Sequence, residues 1–281
     1  MPDLPPPSRF AVVKRSLWQI VRAGTGRTPV EGDNYSATEG PRYARPTCAH
    51  GEPRGHARIR VVSFNINHGR EVDRAAALFR RDASLKDADL VLLQEMEESG
   101  TERLASALGM SYVYYPAGRH PLSSRHFGNA ILARGEIVDD GKHLLPHLGR
   151  VRGTRRIAVA ATLDLCGQRL TALNVHLATL LDASLAAQRD QLLKVLEVAD
   201  EVDGPVVIGG DFNRRSLGLV VERRGYQWLS REAGATLGPF AIDHLFARGL
   251  DPGVPYAAGV VRNTDGASDH RPVWSEITLA P

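Results

Sequence analysis

The stretch Val206-Val-Ile-Gly-Gly-Asp211-Phe-Asn213 constrains the fold more than any other part of the chain. Its apolar run suits a strand buried on both faces. The run breaks at two glycines and then delivers a carboxylate and a carboxamide two residues apart. Side chains two apart on an extended segment share a face. Asp211 and Asn213 are therefore expected to converge on one object, either a divalent cation or a phosphoryl oxygen. A strand-end Asp that merely caps the next turn is the plainer alternative. The glycines leave room for close approach of backbone or ligand.

The same pattern recurs along the chain. Ile59-Arg-Val-Val-Ser-Phe-Asn65 is a short apolar run ending in Asn65, and Asp89-Leu-Val-Leu-Leu-Gln94-Glu95 is another. Leu170-Thr-Ala-Leu-Asn174-Val-His176 ends in an Asn and a His. Asp243 and His244 follow Ala241-Ile242, and Ser268-Asp269-His270 precedes a last strand-like segment. Each polar end alone fits a helix cap, a turn or a satisfied buried group. A core that collects so many carboxylates and imidazoles must neutralise them, and a divalent cation with its substrate does so.

These motifs resemble those of the endonuclease/exonuclease/phosphatase superfamily of metal-dependent phosphoesterases. Ser63-Phe-Asn65, Gln94-Glu95, Gly128-Asn129-Ala130-Ile131-Leu132, Asn174-Val-His176-Leu177, Gly210-Asp211-Phe-Asn213, Ile242-Asp243-His244 and Ser268-Asp269-His270 stand in the family's order over about residues 58 to 278. The resemblance implies a four-layer αββα sandwich of the α/β (α+β) class: two packed, mostly antiparallel sheets flanked by helices, with the site at one edge of the sheets. It also implies phosphoester hydrolysis by in-line attack of water. Such a reaction needs a cation on the phosphoryl oxygens, a base for the water and donors for the developing charge.

Roles follow from matching positions. Glu95 is the first expected metal ligand, helped by Asn65, with Asp269 as an additional metal- or water-positioning carboxylate. His270 is the expected general base and Asp243 its partner, since a carboxylate hydrogen-bonded to an imidazole fixes its tautomer and raises its basicity. His176 is expected to face the phosphoryl group. Asp211 and Asn213 would orient the nucleophile, bind a second cation or stabilise the transition state. Asn129 and Arg156 are expected to touch substrate, Arg156 as a bidentate donor. Arg119, His120, Arg125 and His126 mark a loop suited to an anionic ligand. His244 should point away from its neighbour Asp243. The expected cofactor is Mg²⁺, with Mn²⁺ as a substitute, because Mg²⁺ needs only one or two protein carboxylates.

Charge narrows the substrate. Residues 1 to 60 hold 10 Lys/Arg against 5 Asp/Glu, and the remainder holds 25 against 27. The catalytic part is not a basic body of the kind that grips long DNA. A small or lipid-linked phosphoester is thus preferred to nucleic acid, with a nuclease of the same fold as the alternative.

Residues 1–57 read as a basic extension ahead of a catalytic domain at 58–281. Phe10, Val13, Leu17 and Val21 fall at helical spacing among Lys14, Arg15 and Arg22. That segment suits an anionic membrane surface, or packs on the domain, or forms a tail. It is too short and charged to cross a bilayer and lacks the continuous apolar run of a signal peptide, so a cytoplasmic monomer is expected. Cys48 and Cys166 imply no disulfide framework, and Cys166 reads as a core thiol.

Helices are expected at Val72–Leu85, Thr101–Leu108 and Ala183–Ala199, the last burying Leu185, Leu192, Leu196 and Ala199 on one face, with Gln188 structural. Strands are expected near 59–65, 89–94, 112–116, 129–133, 156–165, 169–175, 205–210, 241–247 and 270–278. Gly167 turns a hairpin between two of them.

Overall fold

Alternation along the strands sorts the side chains into three apolar layers. A computed structural model describes residues 35–38, 41–46, 58–120, 124–150, 153–165 and 167–280. The amphipathic segment at 10–22 and Cys166 lie outside these residues. The first sheet contains β1 (Tyr43–Arg45), β2 (Arg58–Asn65), β3 (Leu90–Met96), β4 (Ser111–Arg119), β5 (His126–Ala133), β12 (Ala257–Val260) and β13 (Val273–Thr278). The second contains β6 (Glu136–Leu144), β7 (Ile157–Leu165), β8 (Gln168–His176), β9 (Val206–Asp211), β10 (Gln227–Trp228) and β11 (Asp243–Arg248). Their orders are β1-β4-β5-β3-β2-β13-β12 and β10-β11-β9-β8-β7-β6.

Ile59, Val61, Leu90, Leu92, Val159, Ala172, Val207 and Leu245 fill the space between the sheets. Val62, Phe64, Val91 and Leu93 face outward against helices α1 (Val72–Arg81) and α2 (Glu98–Leu108). On the other side Leu173, Val206, Ile208 and Phe246 meet α3 (Leu185–Asp200). A short helix α4 (Gly218–Glu222) follows a tight turn at 215–217. The result is the expected helix–sheet–sheet–helix sandwich, mostly antiparallel. The exceptions are the parallel pairs β2–β3 and β8–β9.

Local chemistry moved several boundaries. Helix α1 ends at Arg81 because the Asp82 side chain accepts from Ser84 N and turns the chain. Helix α2 starts earlier than expected, because the Glu97 side chain caps it by accepting from Gly100 N. Ser184 caps α3 in the same way. Leu192, Leu196 and Ala199 are buried there as expected, but Leu185, in the first turn, is exposed. Gln188 is buried and donates to the Ala178 carbonyl, the structural role expected of it. Gly167 turns the β7–β8 hairpin at φ +88.

Tyr43–Arg45, inside the expected extension, adds an edge strand to β4. It is fastened by Arg42, whose guanidinium donates twice to Asp140, the carboxylate that also accepts from Tyr115. Among the described residues, no helix is long and apolar enough to cross a membrane.

Candidate active site

Both parallel pairs end at the same rim of the sandwich. Asn65 closes β2, His176 closes β8, and Asp211 closes β9 beside His176. Asp243 opens the antiparallel β11 directly opposite Asp211. Alternation turns Asn65, His176, Asp211 and Asp243 inward, in phase with Val61, Ala172, Val207 and Leu245 of the inter-sheet core. It turns His244 the other way, against Phe212, Trp228 and Phe246.

The Gly209–Gly210 pair makes this rim. A Cβ at Gly209 would lie 2.6 Å from both Leu92 and Leu245, where the sheets meet. At Gly210, φ is +146 and a Cβ would fall 1.9 Å from the Val175 carbonyl oxygen, so no other residue fits.

Glu95 breaks the alternation. Leu93 and Met96 face the helices, and an unbroken strand would send Glu95 there too. The β3–β5 register instead shifts between Leu93 and Met96, and Glu95 sits in the left-handed region at φ +59. The bulge swings its carboxylate into the site, where Asn65 Nδ2 reaches Glu95 Oε1 at 3.3 Å and Asp211 Oδ2 at 3.0 Å. Asn65 thus bridges two carboxylates nitrogen-first, while its Oδ1 accepts from Asn67 N. To ligate a cation as expected, its amide must turn over.

Asn213 also departs from the extended geometry. It has φ +55, so the two-residue spacing does not aim it alongside Asp211. Its backbone N–H donates to Asp211 Oδ1 and its Nδ2 to the Leu177 carbonyl. It locks the turn that presents Asp211.

His270 Nδ1 donates to Asp243, at 2.9 and 3.1 Å from the two carboxylate oxygens, and His270 Nε2 stands 3.9 Å from Asp211 Oδ2. Asp211, Asp243 and His270 bring one ligand atom each within 4.8 Å of one another. Because the His270 ring is already committed to Asp243, this trio is a hydrogen-bonded dyad beside Asp211. Glu95 and Asp211, the carboxylates not hydrogen-bonded to His270, share Asn65 Nδ2 and lie 3.9 and 3.6 Å from His176 Nε2. Asp269 is exposed, next to Ser268 Oγ at 3.4 Å.

The electrostatics reflect crowding. Burial and the charge of Asp243 raise the pKa of Asp211, against the lowering by His270 and the donors from Asn213 and Asn65. Burial alone would lower His270, but Asp243, Asp211 and Asp269 together raise it. Burial opposes ionisation of Glu95 too, yet His68, His176 and His270 overcome it and hold that carboxylate well below its usual range. His176 is driven well below 6.5, first by burial and then by Arg156. Burial and like charge both disfavour ionisation of Asp211, a condition that a divalent cation relieves, so the residues fit one.

The opposite wall is cationic and aromatic. Phe127 is its centre, with the rings of His68, His120 and His176 at 5.6, 6.1 and 5.8 Å and the Arg156 guanidinium at 6.0 Å. His68 Nδ1 lies 3.0 Å from Glu95 Oε2. Arg156 is buried; Nη2 is 3.9 Å from Asp182, and neither Nε nor Nη1 has a hydrogen-bond partner among the described residues. Orphaned guanidinium donors in a buried position beside a site call for an anion.

The structure therefore brings Asn65, Glu95, His176, Asp211, Asp243, His270 and Arg156 together. Asn129 is corrected: its amide nitrogen is spent on the Ile157 and Asn174 carbonyls. With Gln94 donating to Asn174 Oδ1, and Asn174 to the Leu93 and Ala130 carbonyls, it forms a buried amide tie between the sheets behind the site. The expected basic loop splits: His120 stacks on His68 with centroids 4.0 Å apart, whereas His126 turns away to pair with Glu98. His68 was missed. The turn Asn67-His68-Gly69 directly after the β2 strand end was its only signal.

Comparison with known proteins agrees with this geometry. The model of the endonuclease/exonuclease/phosphatase family matches residues 62–270. No curated protein matches the chain. Among solved structures, an endonuclease/exonuclease/phosphatase from Beutenbergia cavernae superposes with a TM-score of 0.63 at 22% identity, covering 80% of this chain and 72% of that one. D. rerio TDP2 in complex with a single-strand DNA product gives 0.60 at 17%, covering 79% and 99%. A mannosyl-6-phosphatase from Bacteroides thetaiotaomicron gives 0.58 at 19%, covering 79% and 100%.

Proposed function

Because the chain belongs to the endonuclease/exonuclease/phosphatase family, we propose that it is a divalent-metal-dependent hydrolase of a small or lipid-linked phosphoester. The observation that carries this reading is Arg156, which lies close enough to feel the charges of Glu95 and Asp211 and has two buried donor atoms without partners among the described residues. They would grip the phosphoryl oxygens from the side opposite the carboxylates. A Mg²⁺ or Mn²⁺ ion held by Glu95 and Asp211, with Asn65 turned oxygen-first, would polarise the phosphoryl group and offset the crowding of negative charge there.

The chain's own groups then divide the work. Asp243 accepts from His270 Nδ1–H and orients Nε2 towards the attacking water; His270 would take that water's proton once a bound cation offsets the Asp211 charge that, with Asp243, favours the protonated ring. His176, buried and neutral, offers a ring nitrogen to the phosphoryl oxygen or leaving group. Asn213 fixes the turn under Asp211. The small-substrate choice is supported by the near-neutral charge of residues 61–281.

A paired assay tests the reading. Supercoiled plasmid, sphingomyelin, other phospholipids and inositol phosphates are offered with Mg²⁺ or with EDTA, and Asp211→Ala is the control. Cation-dependent turnover of a small or lipid phosphoester with intact plasmid is the expected result. Plasmid nicking lost in the variant would select the nuclease of the same fold. No turnover of any substrate with either Mg²⁺ or Mn²⁺ would overturn the hydrolase reading.

A further inference from the structure

Seven large apolar side chains are exposed among the described residues: Val138, Leu148, Leu180, Leu181, Leu185, Leu219 and Phe240. All but Val138 sit on segments that build the active-site mouth. Leu180 and Leu181 lie just beyond His176 and Leu177, and Leu185 opens α3 directly after them. Leu148 belongs to the loop before Arg156. That loop is hydrogen-bonded to the same turn through Arg150 N and the Asp182 carbonyl, at 2.8 Å. Leu219 follows the Asn213 turn. Phe240 tips the turn Leu237–Phe240, whose Leu237 bridges His270. The four leucines of the first group are each more than half exposed, on two loops joined by that hydrogen bond.

Scattered exposed leucines need no explanation, but a patch confined to the mouth of a site does. We propose that this rim docks the enzyme on a phospholipid bilayer, so that the site opens onto headgroup phosphoesters. Charge on the same segments fits an anionic surface. Arg150 and Arg189 are exposed beside the leucines, and Arg215 is exposed beside Leu219. The acids of these loops have partners within the protein: Asp190 lies 2.8 Å from His147 Nε2, and Asp182 approaches the Arg156 guanidinium. Leucines that insert into the acyl boundary, ringed by arginines at headgroup level, are the arrangement by which a peripheral protein gains affinity from both terms. The purpose of the docking rests on the hydrolase reading of the site, but the docking itself does not.

Vesicle sedimentation tests it with the full chain, using phosphatidylcholine vesicles with and without phosphatidylglycerol. The variant Leu148→Ser/Leu180→Ser/Leu181→Ser/Leu185→Ser is compared with Phe10→Ser/Leu17→Ser/Trp18→Ser. Binding that rises with phosphatidylglycerol and falls at least tenfold in the leucine variant is expected. Retained hydrolysis of a soluble nitrophenyl phosphodiester, and an unchanged melting temperature, would show that this variant is folded; if it is not, Leu180→Ser/Leu181→Ser carries the same comparison. Three results would each overturn the proposal: no sedimentation of the wild type, unchanged sedimentation of the leucine variant, or a leucine-dependent dimer in place of vesicle binding. Absence of soluble-substrate turnover in the wild type would count against the hydrolase reading alone, since sedimentation needs no catalysis.

Discussion

The imidazole of His270, just ahead of β13, donates through Nδ1 to Asp243 at the start of β11, 2.9 Å from Oδ2. That bond fixes which ring nitrogen faces the site. Asp243→Asn keeps the shape but removes the charge that stabilises the imidazolium, and its amide can turn to donate. The expected outcome is a fall in kcat of about 10²–10⁴ with little change in KM or melting temperature. Steady-state kinetics on the substrate that the paired assay selects would check it, and a near-wild-type kcat would remove the dyad from the mechanism.

Glu95 combines a functional carboxylate with a strained backbone. Glu95→Gln should weaken Mg²⁺ or Mn²⁺ binding by calorimetry at least tenfold, about 1.4 kcal/mol. Glu95→Gly should lose the cation equally yet melt no lower than wild type, because relief of the left-handed strain is worth about 1 kcal/mol. Unchanged affinity in the Gln variant would show that the cation sits elsewhere. Chelation should abolish turnover in the wild type.

Arg156→Met separates binding from folding. Removing two buried donors that lack partners among the described residues offsets the loss of the 3.9 Å approach to Asp182, so the melting temperature should change little. The same change should raise KM about tenfold or more, with a smaller effect on kcat. A lower melting temperature with an unaltered KM would assign Arg156 to structure.

His244 predicts an acid-sensitive slope unrelated to catalysis. Burial lowers its pKa to about 4, with Asp243 opposing and Arg215 adding to the effect. The unfolded chain takes up this proton near 6.5 and the folded one only near 4. The stability is therefore whole above 6.5 and lost as pH falls from 6.5 towards 4, by up to about 1.4 kcal/mol per pH unit. His244→Phe, among Phe212, Trp228 and Phe246, should flatten that slope. Neither ring nitrogen has a partner among the described residues, so it should not cost stability at pH 7. Urea midpoints at pH 7, 6 and 5 decide it, and parallel slopes for the two proteins would refute the assignment.

What the sequence showed and hid has a physical pattern. Period-two alternation placed Asn65, His176, Asp211 and Asp243 inward and His244 outward, because those strands run unbroken to their ends. It failed at Glu95 and Asn213, where positive φ values reverse the direction of a side chain and no residue pattern announces them. Asn129 reads as a substrate contact because a buried amide that ties two sheets looks, in one dimension, like a buried amide that meets a ligand. The β1 strand was hidden because three residues are too few for a period. Leu185 fits a helical stripe, but the stripe begins before the sheet beneath it does.

Asn65, Glu95 and His270 come with the first sheet, whereas His176, Asp211 and Asp243 come with the second. Neither half owns a functional site; the chemistry is a property of the seam. The amide tie of Gln94, Asn129 and Asn174 across that seam therefore acts as a gauge block. It sets the spacing at which two otherwise inert surfaces become one catalyst, and any change that lets the layers creep past one another would erase activity while leaving every strand in place.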